Sequence, residues 1–285
     1  MGPARTNREV VDGWTHGISG SIFHENRVVH VEHIWGTVIT INLMGTQGRL
    51  DHAIAAIDAC RELFLEVDQA FSTFKPTSEV ALYRAGLERP GQQSEEFEEV
   101  MRACHALRAA TQGAFDPWAV QGGYDPSGYV KGWAAGRASA TLMLAGFADH
   151  LVNAGGDISA TGDEVPGSSQ GWPIGIINPH APAEIIEVVN LRDESMATSG
   201  SYERGHHVVD PSTGHPASGV DSATVVGPDP GRADALATGA LIRGTVSASW
   251  FRTLGPEWSL YLVIGQTAHS YGRAFDDTAR SSDEA

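Results

Sequence analysis

Residues 196–239, MATSGSYERGHHVVDPSTGHPASGVDSATVVGPDPGRADALATG, decide how the chain is read. They hold a Ser/Gly turn, the pair His206 and His207, an Asp-Pro turn at Asp210, the apolar run SATVVG and a helix start at ADALATG. A plain core has little use for so much polar chemistry in one place, because every buried polar group needs a partner. Asp234 and Thr238 are four apart, so on a helix they stack on one face, where a carboxylate and a hydroxyl can reach one hard cation. The same pair also suits a helix cap and a packed threonine. His206 and His207 alternate faces on a strand, and neither has a partner at zinc spacing.

Upstream, RVVHVEHIWGTVITINL (27–43) alternates as two short strands broken at Trp35-Gly36. From Leu50, the residues Ile54, Ile57, Cys60, Phe64, Val67 and Phe71 recur at three- and four-residue steps and predict an amphipathic helix. Ser78 predicts the cap of a short helix. Ser94, followed by Glu95 and Glu96, predicts a longer one with Phe97, Met101, Cys104 and Leu107 on its buried face and an end at Gly113. The run GAFDPWAVQGGYDPSGYVKGW, rich in Gly and Asp-Pro, reads as a loop, with a third helix from Lys131 to Leu144.

Beyond Gly146 the texture turns to strands: HLVNAGGDISATG, WPIGIINP, EIIEVVNLRDESMATSG, then HHVVD and SATVVG. Helices are expected at 231–243 and 247–254, a closing strand at 258–265 and a polar tail from Gln266. The order predicts an α+β protein with mixed or antiparallel sheets packed by helices. Residues 1–27 are expected as an extension, 28–265 as one catalytic domain of two lobes around a cleft, and 266–285 as a tail.

The 285 residues carry 19 Lys and Arg against 35 Asp and Glu, a formal charge of −16. That field repels nucleic acid and anionic membranes, so an anionic ligand must be met locally by a metal ion, a helix N-terminus or a few placed cations. No run approaches the roughly 18 to 20 apolar residues of a membrane helix, and no membrane insertion is expected. No export signal is read at the start, which predicts a cytoplasmic protein. Cys60 and Cys104, each on an apolar helix face, are expected as free buried thiols. The GxxxxGK[ST], GxGxxG, GxSxG and CxxC patterns are all missing, which argues against a P-loop enzyme, a common dinucleotide dehydrogenase and an α/β hydrolase.

Two other places draw attention. NAGGD (153–157) runs a strand into Gly155-Gly156 and an acid, which suits either a hairpin turn or a close approach of backbone to a ligand. Lys131, expected at a helix start, opposes the helix dipole, which an anion bound there would explain.

In this order, FSTFKPTSEV, GAFDPW, GYVKGWAA, NAGGDI, ATSGSY, HHVVDPSTGHP, ATVVGPD and ADALATG resemble the ApbE-like flavin transferases, over about residues 35 to 265. The resemblance implies the fold of that family and an enzyme that splits FAD with Mg²⁺. It would move FMN through a phosphoester onto a Thr or Ser of an acceptor protein and release AMP. Alternatives are a metal-dependent FAD pyrophosphatase and a non-catalytic FAD-binding protein. The resemblance places Asp234 and Thr238 on the metal-binding pair, with the Gly128 carbonyl completing the site. It places Trp35, Phe74, Ala114, Phe115, Asp116, Asp125, Lys131 and Val208 among the flavin-nucleotide contacts. His207 falls near the flavin, and His207 or a carboxylate near Asp234 is the expected general base, with His207 and Asp234 taken as catalytic. The chain departs from the family pattern at Trp35, where Met is usual, and at Trp118, where Thr is common.

Overall fold

Alternation along the strands builds two cores, one on each side of a single sheet. On β4 (His150–Ala154), Val152 faces one core while Leu151 faces the other. On β10 (Ser259–Ile264), Leu260 and Leu262 face the first while Tyr261 and Val263 face the second, the period of two that a sheet buried on both faces requires. The computed structural model describes residues 19–87, 93–120, 122–200, 208–244 and 250–275.

The large sheet has nine strands in the order β1-β2-β3-β4-β5-β8-β9-β10-β11. Its remaining members are β1 (Gly20–Phe23), β2 (Arg27–Ile34), β3 (Thr37–Met44), β5 (Asp157–Thr161), β8 (Glu194–Gly200), β9 (Ser222–Gly227) and β11 (Thr267–Tyr271). A separate hairpin, β6 (Trp172–Asn178) with β7 (Ala181–Leu191), helps cover the second core. Every pairing among the described strands is antiparallel.

The helices lie over the first core: α1 (Leu50–Phe71), α2 (Glu79–Arg84), α3 (Glu95–Ala110), α4 (Ser127–Leu144) and α5 (Pro230–Arg243). Helix α1 buries Ile57, Cys60, Phe64, Val67 and Phe71 at helical spacing, as its sequence predicts, although Ile54 stays at the margin. Ser78 and Ser94 cap α2 and α3 by accepting from the Ala81 and Phe97 amides at 3.0 and 3.1 Å. Both cysteines are buried and free, and burial pushes their thiols up to about 12.

The α+β architecture follows the sequence, with four local departures. Helix α4 begins at Ser127 rather than Lys131, because the Asp125 carboxylate accepts from the Ser127 amide at 3.0 Å and turns an expected loop into a helix start. The expected extension already contributes β1, paired with β2. The expected tail contributes β11 and the buried Phe275; β11 is a polar edge strand, so its side chains give no hydrophobic alternation to read. Of the strand expected at HHVVD, the described part, from Val208, makes one bridge, Val209 with Pro216. Of the helix expected at 247–254, residues 247–249 lie outside the described residues, and only 250 and 251 of the rest are helical.

Candidate functional site

Three glycines bring the site together. A Cβ on Gly132 of α4 would stand 2.1 Å from the Pro230 carbonyl oxygen, and one on Gly231 of α5 would stand 2.8 Å from the Tyr129 ring. A Cβ on Gly136 would lie 3.0 Å from the Pro230 ring. Helix α4 therefore receives the first turn of α5 at a separation no side chain permits. Asp229 caps that turn through the Arg232 amide at 3.0 Å, with Pro230 in the first helical turn. The consequence is local: Lys131, beside Gly132, and Asp234, one turn into α5, face each other.

The third charged group comes from the sheet. Gly155 and Gly156, at φ 63° and 102°, make the two-residue turn between Ala154 and Asp157, so the hairpin reading of NAGGD holds. The turn starts β5 with Asp157 beneath the helices, where its carboxylate is 2% exposed. Lys131 Nζ donates to Asp157 Oδ2 and, at 3.3 Å, to Asp234 Oδ2. Two buried acids thus share one ammonium. Burial first, then the neighbouring Asp157, push the Asp234 carboxyl well above the usual range, against the pull of Lys131. Burial opposes the Lys131 charge, yet Asp157 and then Asp234 outweigh it and raise the ammonium above lysine's ordinary value.

Thr238 lies one turn beyond Asp234 on α5, and its hydroxyl meets Ser199 Oγ of β8 at 3.1 Å. Gly128 lies close by: a Cβ on it would be 3.6 Å from Thr238 Oγ1 and 3.3 Å from the Phe115 ring. Its backbone is not helical, with φ −82° and ψ 20°, so its carbonyl is turned by about 60° from the helical direction. Asp234, Thr238 and Gly128 therefore line one cleft, together with Lys131, Ala114, Phe115, Asp116, Asp125 and Val208.

The two flanking acids are already held. Asp116 takes a 2.7 Å bond from Arg108 Nε and accepts from the Trp118 amide at 3.0 Å. Asp125 accepts from Ser127 and faces Arg84 at 3.5 Å. Neither Trp35 nor Phe74 lines the cleft. Trp35, at φ 58°, sits with Gly36 in the β2–β3 turn, packs edge-on to Phe64 and donates to the Phe64 carbonyl at 3.3 Å. Phe74 is 95% exposed on the loop after α1. Trp118 stacks between His105 and Tyr124, at centroid distances of 4.1 and 5.1 Å. His207 lies outside the described residues.

Asp157 is the site residue that the sequence reading passes over. Its place after Gly-Gly shows an acid at a turn, but only the strand crossing beneath α4 and α5 shows what the acid faces. The donors present are oxygens: one carboxylate of Asp234, one hydroxyl, one bent peptide carbonyl, with Asp157 adjacent. That set suits a small hard cation and none of the softer metals. No group of three or more His, Cys, Asp and Glu poised for a metal occurs among the described residues, so such a cation would depend on Thr238 and backbone oxygen as well.

Comparison with known proteins bears on the family and the fold. The model of the ApbE family matches residues 35–121 and 121–256. The FAD:protein FMN transferase of Treponema pallidum is 36% identical over 136 residues, 42% of this chain and 38% of that protein. That of Rhodobacter capsulatus is 35% identical over 129 residues, 42% of this chain and 24% of that protein. The matched segment thus spans well under two thirds of the length of these curated relatives. The flavin transferase ApbE from Vibrio cholerae has the same fold, with a TM-score of 0.76 at 20% identity over 90% of this chain and 99% of that one. The ApbE protein of Thermotoga maritima gives 0.74 at 23% identity, over 85% and 96%. With the family model matched over most of its length, the chain belongs to the ApbE family.

Proposed function

We propose that this chain is a Mg²⁺-dependent FAD:protein FMN transferase. It would split FAD, join FMN through a phosphoester to a Thr or Ser of an acceptor protein, and release AMP. One observation carries the reading: Asp234, Thr238 and the bent Gly128 peptide line one cleft together with Lys131, which is bonded to Asp157 and Asp234. The cavity measures about 220 Å³.

The Asp234 carboxylate, the Thr238 hydroxyl and the Gly128 carbonyl would hold the ion, which when bound offsets charge on the diphosphate oxygens. The residues themselves do the positioning. Lys131, the only basic side chain among the described lining residues, meets the phosphate charge that a −16 protein would otherwise repel. The acceptor hydroxyl oxygen attacks the FMN phosphorus, the bond from that phosphorus to the oxygen of AMP breaks, and AMP leaves. The hydroxyl proton goes to His207 or to a carboxylate beside Asp234. Arg108 and Arg84 keep Asp116 and Asp125 in fixed positions at the cleft wall.

A cytoplasmic setting belongs to this reading and fits the two free buried thiols. Among the described residues, no helix is long and apolar enough to cross a membrane. The test is mass spectrometry of a flavin acceptor protein incubated with enzyme, FAD and Mg²⁺. A covalent FMN adduct with AMP release, lost in Asp234→Ala, is expected. Free FMN and AMP without an adduct would instead make the protein a pyrophosphatase, and bound FAD without AMP a flavin carrier.

A further inference from the structure

Resting on that metal reading, we propose that Lys131 is the resident cation of the site and that Asp157 is the residue that positions it. In the metal-free protein the ammonium holds the place of positive charge that a divalent ion takes over, and Asp157 keeps it when the ion arrives. The observation is the unequal sharing of one ammonium: Lys131 is bonded to Asp157 and reaches Asp234 Oδ2 at 3.3 Å. Both acids are buried, so the ionised form of each needs a cation close by.

An ion on Asp234 and an ammonium at 3.3 Å from the same carboxylate repel each other strongly in so poorly hydrated a place. The two compete for Asp234. Binding of the ion therefore exchanges one cation for another: Lys131 withdraws onto Asp157 and its remaining N–H groups turn toward the cleft. A diphosphate entering the cleft then meets an ammonium that the ion has released. Metal and diphosphate favour each other through Lys131 without any movement of backbone, and the metal alone binds more weakly than its oxygen donors would permit.

Isothermal titration of the full chain with Mg²⁺ alone, with no flavin present, tests this. Lys131→Met should tighten Mg²⁺ by about tenfold or more, because the competing charge is gone. Asp157→Asn should weaken it by a similar factor, because Lys131 then falls wholly to Asp234. Opposite signs from the two partners of one ion pair do not arise from a merely structural role, which would weaken binding in both. Melting in EDTA gives a second readout: Lys131→Met, or Lys131→Gln in its place, should melt lower than the wild type and recover more of the difference in Mg²⁺. Unchanged or weaker binding in Lys131→Met overturns the proposal, as does failure of both lysine variants to fold even in millimolar Mg²⁺. If the wild type itself binds no Mg²⁺ at millimolar concentration, the metal site of the proposed function fails as well, which separates the two outcomes.

Discussion

Replacing Gly132 by alanine sets two effects of opposite sign against each other. In a helix interior alanine is favoured over glycine by about 1 kcal/mol, so propensity alone makes Gly132→Ala stabilising. The new Cβ, however, would stand 2.1 Å from the Pro230 carbonyl oxygen, 2.5 Å from its carbon and 2.9 Å from the Gly231 nitrogen. All three are backbone atoms, which cannot rotate away. Normal contact needs about 3.5 Å, so α4 and α5 must part by roughly 1 Å. Overpacking costs about 1–3 kcal/mol and more against rigid neighbours, leaving a net loss near 2 kcal/mol. At roughly 2–4 °C per kcal/mol the melting temperature should fall by about 4–8 °C. The same parting takes the 3.3 Å contact of Lys131 with Asp234 beyond hydrogen-bonding range, and a misplacement of that size costs up to about 100-fold in rate. Gly136→Ala is the internal control, because its Cβ would meet only the Pro230 ring, at 3.0 Å. Calorimetry and AMP release on the two variants decide the matter. A Gly132→Ala protein as stable as the wild type would refute the close-packing account of the site.

Two further outcomes are expected. His150 is fully buried between Ser139 Oγ and the Phe147 carbonyl, and burial holds its pKa below the usual value despite the carbonyl bond. The unfolded chain then binds more protons near pH 6.5, so stability present above that pH is lost as pH falls toward the depressed folded value, by up to about 1.4 kcal/mol per pH unit. His150→Gln should flatten the loss between pH 7.5 and 5.5 in urea titrations, and an unchanged slope would assign it elsewhere. Gly128→Ala places a Cβ 3.3 Å from the Phe115 ring, which can give by tenths of an ångström, and leaves the carbonyl in place. Stability should change by less than about 1 kcal/mol and Mg²⁺ affinity, read by titration, by less than about threefold. A tenfold loss of affinity would show that the Gly128 conformation cannot be reached by alanine.

The legible parts of the molecule are those whose signal is periodic or local. The buried positions Ile57, Cys60, Phe64, Val67 and Phe71 of α1, the caps Ser78 and Ser94 and the Gly155-Gly156 turn all follow from spacing or from one residue's hydrogen-bonding habit. Asp234 and Thr238 are legible for the same reason, since helical spacing places them together wherever the helix lies. Lys131 is legible only as an oddity, and Asp157 only as an acid after a turn, because what each faces depends on three elements crossing. The early start of α4 is hidden by Gly128 and by an Asp-Pro pair that serves a helix as readily as a turn. Trp35 sits on a hairpin turn against α1 and Phe74 is exposed on the loop after it, and no periodicity in the sequence shows what either side chain faces.

The charged trio can be completed only late in folding. Lys131 is 26 residues from Asp157 and 103 from Asp234 along the chain. Closing loops of such length belongs to the slow, topology-limited part of folding, and no local fragment can assemble the cluster early. A chain still being synthesised has Lys131 and Asp157 long before α5 exists to complete the set. An ion that binds only when all three elements are docked would therefore stabilise the finished molecule and no partial one. Its uptake would mark the moment when the last helix has seated.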